Sequence, residues 1–267
     1  MARGAYFSGP RPRVFGHRGA AGLAPENTLP SFERAVRDGA GILELDVHAT
    51  RDGVVVVIHD STLERTTDGV EEVRRLGFAE LRRYDAGFRF AAEGGHPFRG
   101  RGIRVPSLEE IVEAFPEVAL NIEIKQDEPA IEVAVVDLLE RHSALDRVLL
   151  AAEDDRIMRR IRRCAPDLPT SAAYGEARDF FERCFADRWS DYVPVARALQ
   201  IPPQAADIDL VVAPAIDAAH RFGLEMHVWT VNEEPEMARL LELGVDGVMS
   251  DFPGRLAQVV RRLGGSP

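Results

Sequence analysis

One alternation runs through the 267 residues. A short stretch of β-branched and other apolar residues is followed, repeatedly, by a longer segment whose apolar positions recur at helical spacing. This rhythm limits the fold more than any other feature, because a strand that returns through a helix re-enters its sheet in parallel. Strand candidates are 13–16, 42–48, 54–59, 119–125, 148–152, 170–174, 198–201, 224–231 and 247–250. Helical spacing covers 28–38, 107–115, 129–143, 155–165, 214–222, 234–243 and 253–263. Asn27 stands where an N-cap belongs, Ser107 has Glu110 at capping-box distance, and Gly39 and Gly244 follow helices.

Nine strand candidates are one too many for an eight-stranded barrel. Only the turn Arg51-Asp52-Gly53 precedes 54–59, which is too short for a parallel crossover. That segment is therefore expected as an antiparallel hairpin strand, pairing positions that sum to about 103 and setting His59 opposite Glu44. The other eight are expected to close a TIM-type (β/α)8 barrel, an α/β fold, with a small insertion at 61–105 after the third strand. No Ser/Gly/Pro-rich linker divides the chain, so 1–267 is expected to be one such domain. A second inserted-looking stretch, 176–197, carries Phe180, Phe181, Phe185, Trp189 and Tyr192. It reads as a helix packing an apolar face on the body, with a position flanking the barrel mouth as the other reading.

Net charge is -11, which argues against a nucleic-acid partner. No apolar leader core opens the chain, and no run of about 18 apolar residues occurs, so the expectation is a cytoplasmic protein without a membrane span. Nothing implies an obligate protein partner. Cys164 and Cys184 lack metal-ligand spacing and read as reduced core thiols, a long-range disulfide being the lesser alternative.

The chemistry concentrates at strand ends. Glu44 and Asp46 are two apart on a strand and so share a face. Paired carboxylates in a buried strand need either arginine partners or a divalent cation, and an oxygen-only donor set favours Mg²⁺, Mn²⁺ or Ca²⁺ over Zn²⁺. Glu123 ends another strand and supplies a third carboxylate. Lys125, on the same face as Glu123, is the sole lysine beside 32 arginines. A compact ammonium fits beside a metal where a guanidinium would not, and with Arg18 it offsets charge for an anionic substrate. His17 and Arg18 lie between Gly16 and Gly19 after the first strand, a pattern suited to a backbone held close to phosphate. His59-Asp60 closes VVVVIHD. Two histidines facing a metal-bound phosphate suit acid–base work. Trp229 ends a late strand and could wall the pocket against a carbon skeleton. His48 is a weaker extra on the Glu44/Asp46 face, and the role of Glu26 is open.

Taken together, these motifs resemble the glycerophosphodiester phosphodiesterase family. Its signature stands here as His17-Arg18, Glu44-Leu45-Asp46 and His59-Asp60, with PENT at 25–28, VPSLEEIV at 105–112, NIEIK at 121–125, VWTVN at 228–232 and GVDGVMSDFP at 244–253. The resemblance runs from about 13 to 262 and implies a TIM barrel with an insertion after the His-Asp motif. It implies a divalent cation (Mg²⁺, Ca²⁺ or Mn²⁺) on Glu44, Asp46 and Glu123, with His17 and His59 as the acid–base pair. Arg18 and Lys125 would bind phosphate, and Trp229 would face glycerol. The expected activity is hydrolysis of a small-molecule glycerophosphodiester to sn-glycerol 3-phosphate and an alcohol. A lysophospholipase D acting through the aromatic stretch 180–192 is the alternative enzyme. A barrel that binds phosphodiesters without turnover is the alternative outside enzymes.

Overall fold

The computed structural model describes residues 5–266. In chain order the elements are β1 (Arg13–Gly16), α1 (Leu29–Arg37), β2 (Ile42–Ala49), β3 (Val55–Val57), α2 (Phe78–Leu81), α3 (Leu108–Ala114), β4 (Ala119–Ile124), α4 (Glu132–Arg141), β5 (Val148–Ala151), α5 (Asp155–Cys164) and α6 (Tyr174–Ala186). They continue as β6 (Ala198–Ile201), β7 (Gln204–Ala205), β8 (Ile208–Asp209), α7 (Ala213–Arg221), β9 (Glu225–Val228), α8 (Glu234–Leu243), β10 (Gly247–Ser250) and α9 (Pro253–Arg262).

Seven strands pair in parallel in the order β5-β4-β2-β1-β10-β9-β6. The gap between β6 and β5 is closed by two residues, Thr170 bridging Leu150 and Ser171 bridging Ala198. The ring thus has eight staves, and the fold is the expected TIM-type barrel. The strand expected at 170–174 shrinks to these two bridges. The chain has already turned to enter α6 there, with the Ala173 N–H held by the Glu176 carboxylate.

β3 hangs on β2 as an antiparallel strand, as expected, but its register sums to 104: Val47 faces Val57, and the Ile58 N–H donates to the Asp46 carbonyl. The turn holds three residues, closed by Thr50 and Val54, with Gly53 at φ 82°. His59 therefore does not stand opposite Glu44. β4 covers one edge of β2 as far as Val47, so β3 takes the other edge, beyond the end of β1.

Alternation along the strands divides the interior. Outward Leu43, Leu45 and Val47 join Phe32, Ile111 and Ile157 beneath the helices of one side. Val14, Leu199, Met226 and Val248 do the same with Phe180, Ile216 and Leu256 on the other. Inside the ring the apolar cluster is small, with Tyr6, Phe7, Phe15, Ile42, Leu149 and Met249 among its members. The remaining inward positions are polar and buried, including Arg13, Glu44, Asp46, Asn121, Glu225 and His227. The aromatic residues of 176–197 pack as the bland reading expected. Phe180 and Phe181 are buried on α6, and Trp189 and Tyr192 stack with Phe222, while Phe185 remains exposed. The cysteines are free thiols but not core residues: Cys164, last in α5, is exposed, and Cys184 is half-buried. Residues 61–105 contain only one 3-10 turn (Val73–Arg75) and the single turn of α2, less helix than their charge pattern suggested.

At the end of the barrel away from the strand C-termini, Arg13 grips Glu225 with two bonds of 2.6 and 2.9 Å and donates to the Phe7 carbonyl. His227 and Arg11 also reach Glu225. Burial opposes ionisation of Glu225, but Arg13 and His227 outweigh it and hold the carboxyl far below its ordinary range. A depressed carboxylate contributes stability above its unfolded pKa and loses it as pH falls. Arg13→Met should therefore cost about 3 kcal/mol at pH 7. Urea unfolding should show that gap narrowing below about pH 4, where Glu225 protonates in the unfolded chain.

Candidate active site

The C-terminal ends of β1, β2 and β4 converge at the other end of the barrel. In the β2–β4 ladder Glu44 lies beside Asn121 and Asp46 beside Glu123. Laterally paired residues share a face, so Asp46 and Glu123 project together into the mouth, with Glu44 one layer deeper. One carboxylate oxygen from each of Glu44, Asp46 and Glu123 lies within 4.8 Å of the others.

Two of these acids are buried but sit in opposite environments. Asp46 accepts from Asn27 Nδ2 at 2.9 Å and has Arg18 Nε at 3.3 Å and Lys125 Nζ at 3.4 Å. Burial raises its pKa, yet Lys125 and Arg18 bring it below the ordinary value. Glu44 receives the Arg18 backbone N–H at 2.9 Å and has His17 Nε2 only at 4.0 Å. Burial, then the charge of Asp46, pushes Glu44 up to about 7. Burial likewise raises Glu123, although Lys125 Nζ sits 2.7 Å from it. The ammonium of Lys125 thus lies between two carboxylates.

Both histidines are oriented by a carboxylate. His17 Nδ1 donates to Asp251 at 2.7 Å, and His59 Nδ1 donates to Asp60 at 2.6 Å. A carboxylate acceptor fixes the tautomer and leaves Nε2 as the free nitrogen of each neutral ring. Burial lowers the pKa of His17, but Asp251 and Glu44 more than reverse this. Arg18, at φ 50°, bonds Glu26 at 3.0 Å, while its buried Nε, though near Asp46, has no hydrogen-bond acceptor. Trp229 stands on the rim, 41 % exposed, at the end of β9.

One local expectation changes, and Gly16, Gly19, Glu26 and His48 gain definite neighbours. The first helix is capped by position 28, not 27. Asn27 has φ 56°, and its side chain holds Asp46 instead. The glycines around His17-Arg18 answer to packing: a Cβ at Gly16 would meet the Ala35 Cβ at 2.7 Å, and one at Gly19 would meet Ser31. Glu26 joins Arg18 to Arg65, which in turn grips Asp60. His48 Nε2 donates to the His59 carbonyl, 3.0 Å away, and burial lowers its pKa.

A cation fits the acid cluster on its chemistry. The donors are all oxygen, two of the acids are buried, and three carboxylates exceed the charge of Arg18 plus Lys125. A second group, Glu109, Glu113 and His142, is close enough in space, but its two glutamates are exposed and His142 is already bonded to Glu109.

The model of the glycerophosphoryl diester phosphodiesterase family matches residues 17–255, which takes in every residue of this site. The chain belongs to this family. Its members are phosphoric diester hydrolases, dependent in general on a divalent metal. A glycerophosphodiester phosphodiesterase of Caldanaerobacter subterraneus subsp. tengcongensis is 31 % identical over 257 residues, covering 94 % of this chain and 98 % of the relative. A lysophospholipase D of Mus musculus is 29 % identical, covering 91 % and 84 %. The solved structure of an Oleispira antarctica phosphodiesterase, in complex with the product sn-glycerol-3-phosphate, superposes with a TM-score of 0.76 at 26 % identity, covering 94 % and 97 %.

Sequence reasoning gave no role to Asp251 or Asn232. Asp251 stands in the quoted stretch GVDGVMSDFP, yet spacing could not tie it to a histidine 234 positions away. Asn232 holds Asp251 with its amide and accepts the Asp251 N–H.

Two outcomes follow for the metal-free protein. The folded pKa of Glu44 lies above its ordinary 4.5, so its proton stays bound longer in the folded than in the unfolded state, and stability falls as pH rises toward about 7. Glu44→Gln should therefore be more stable than the parent above pH 7, on the order of 2 kcal/mol, and should lose the gain in Tm that Mg²⁺ confers on the parent. Asp251→Asn should move the His17 titration, followed by NMR, to lower pH, because it removes the group that most favours the imidazolium.

Proposed function

We propose that the chain hydrolyses glycerophosphodiesters to sn-glycerol 3-phosphate and an alcohol, with His17 and His59 as acid–base pair beside a divalent cation on Glu44, Asp46 and Glu123. The observation that carries this reading is the carboxylate trio at the barrel mouth, flanked by two histidines whose Nδ1 atoms are each tied to a carboxylate. Mg²⁺, Mn²⁺ and Ca²⁺ all suit the oxygen donors. Such a cation, when bound, polarises a phosphoryl oxygen and eases loss of a proton from the nucleophile.

The residues of the chain do the rest. The guanidinium of Arg18 and the ammonium of Lys125 would bind a phosphate's oxygens, and they offset the charge of three acids. One histidine takes the proton from the nucleophile, either water or the glycerol 2-hydroxyl, and the other gives a proton to the leaving alkoxide. If the 2-hydroxyl attacks, a cyclic phosphate forms and water then opens it with the histidine roles reversed. Asp251 and Asp60 keep the two rings turned so that Nε2 does this work. Trp229 presents its exposed ring to the glycerol carbons. We also read 1–267 as one catalytic domain with its insertion at 61–105, acting in the cytoplasm. No helix among the described residues is long and apolar enough to cross a membrane.

A lysophospholipase D reading draws on the mouse relative. The residues once suited to an acyl site argue against it, since Phe180 and Phe181 are buried in the body.

Release of glycerol 3-phosphate from glycerophosphocholine should stop with EDTA and return with Mg²⁺, Mn²⁺ or Ca²⁺. His17→Ala and His59→Ala should each lose roughly 10²–10⁴-fold in kcat. Release that is indifferent to chelation, or unchanged by both substitutions, would overturn the assignment. Turnover of lysophosphatidylcholine in its place would favour the second reading.

A further inference from the structure

Beside Lys125 the barrel mouth opens into a cavity of about 540 Å³ that the reaction itself does not explain. One wall is Glu123 and Lys125. The other is the β5–α5 loop with the first residue of α6, where Glu153, Asp155 and Tyr174 line the space. The cavity and the reaction centre therefore share two side chains.

The charges around it are not equally committed. Lys125 turns to Glu123 and Asp46. Arg156 is held by Asp127 and Asp154, each at 2.9 Å. Asp155 accepts the Gly175 N–H at 3.2 Å. Among the described residues the exposed Glu153 carboxylate makes no ion pair or hydrogen bond, and the Tyr174 ring, 63 % exposed, stacks on no other ring and on no cation. Their backbones are joined, the Tyr174 N–H donating to the Glu153 carbonyl at 2.9 Å, and both side chains line the same cavity. Both cations of the lining are thus neutralised, and an uncompensated carboxylate and an uncovered aromatic face remain. That pair suits an organic cation: the ring quadrupole and the carboxylate attract the same charge.

We infer that this cavity is the subsite for the leaving alcohol and that Glu153 and Tyr174 select cationic head groups, of the choline or ethanolamine class, over neutral ones. The inference rests on the hydrolysis proposed above. It deepens that reading by assigning the side of the phosphate opposite the glycerol: Trp229, on β9, lies across the barrel from β4 and β5.

Two measurements test it separately from the reaction. The first is the ratio of kcat/KM for glycerophosphocholine to that for glycerophosphoglycerol, whose head group is uncharged, at saturating Mg²⁺. The ratio should exceed one in the parent and fall about three- to five-fold in each of Glu153→Gln and Tyr174→Ala, mainly through KM. The second is binding of choline chloride by NMR, with uncharged 3,3-dimethylbutanol as control. Choline should shift resonances of the β5–α5 loop in the parent, the isostere should not, and both substitutions should weaken the shift. A ratio that both variants leave intact, or choline and its isostere binding alike, would overturn the subsite. Loss of hydrolysis of every glycerophosphodiester, with choline binding retained, would instead overturn the reaction and leave a cation site standing.

Discussion

Everything at the catalytic end of this barrel depends on keeping three carboxylates together in a place water reaches poorly. Glu44 and Asp46 are on one strand and Glu123 on its neighbour, and the parallel register sets Asp46 and Glu123 side by side. Left alone, such a trio would repel itself and resist burial. The protein compensates unequally. Asp46 draws in Asn27, Arg18 and Lys125, whereas Glu44 is left with one backbone N–H and a distant imidazole. The shortfall collects on Glu44, and a divalent cation is the natural partner for it.

That asymmetry explains the wider layout. The residues that serve Asp46 come from separate loops and strands: Arg18 and Asn27 from the segment after β1, Lys125 from the end of β4. Arg18 is tied through Glu26 to Arg65, and Arg65 to the Asp60 that orients His59. On the other flank Asn232 and Asp251 orient His17. Each histidine is thus fixed by carboxylates outside the acid trio. The interior beneath is polar too, but there Arg11 and Arg13 are balanced by Glu225 and Asp246.

Much of the fold was readable because its signals are local. The alternation of strand and helix, the Ser107–Glu110 capping box and the hairpin after Ala49 all depend on residues a few positions apart. Misreadings arose where a single residue or a distant contact decided. The hairpin register sums to 104 because Thr50 and Val54 close the turn around Arg51, Asp52 and Gly53. The stave at 170–171 is short because α6 begins early. Asn27 looked like a cap, but Asp46 claims its side chain.

By itself the sequence determined the fold class and the chemical set, because strand period and residue type place Glu44 with Asp46 and Glu123 with Lys125 without knowledge of any partner. What only the tertiary structure decided is which groups meet. Asp251 turns His17, Asp60 with Arg65 turns His59, and Glu44 alone among the acids is left short of donors. These are through-space facts, fixed by barrel closure and strand register. Coulomb and hydrogen-bond energies depend on distance and burial, which residue order does not encode.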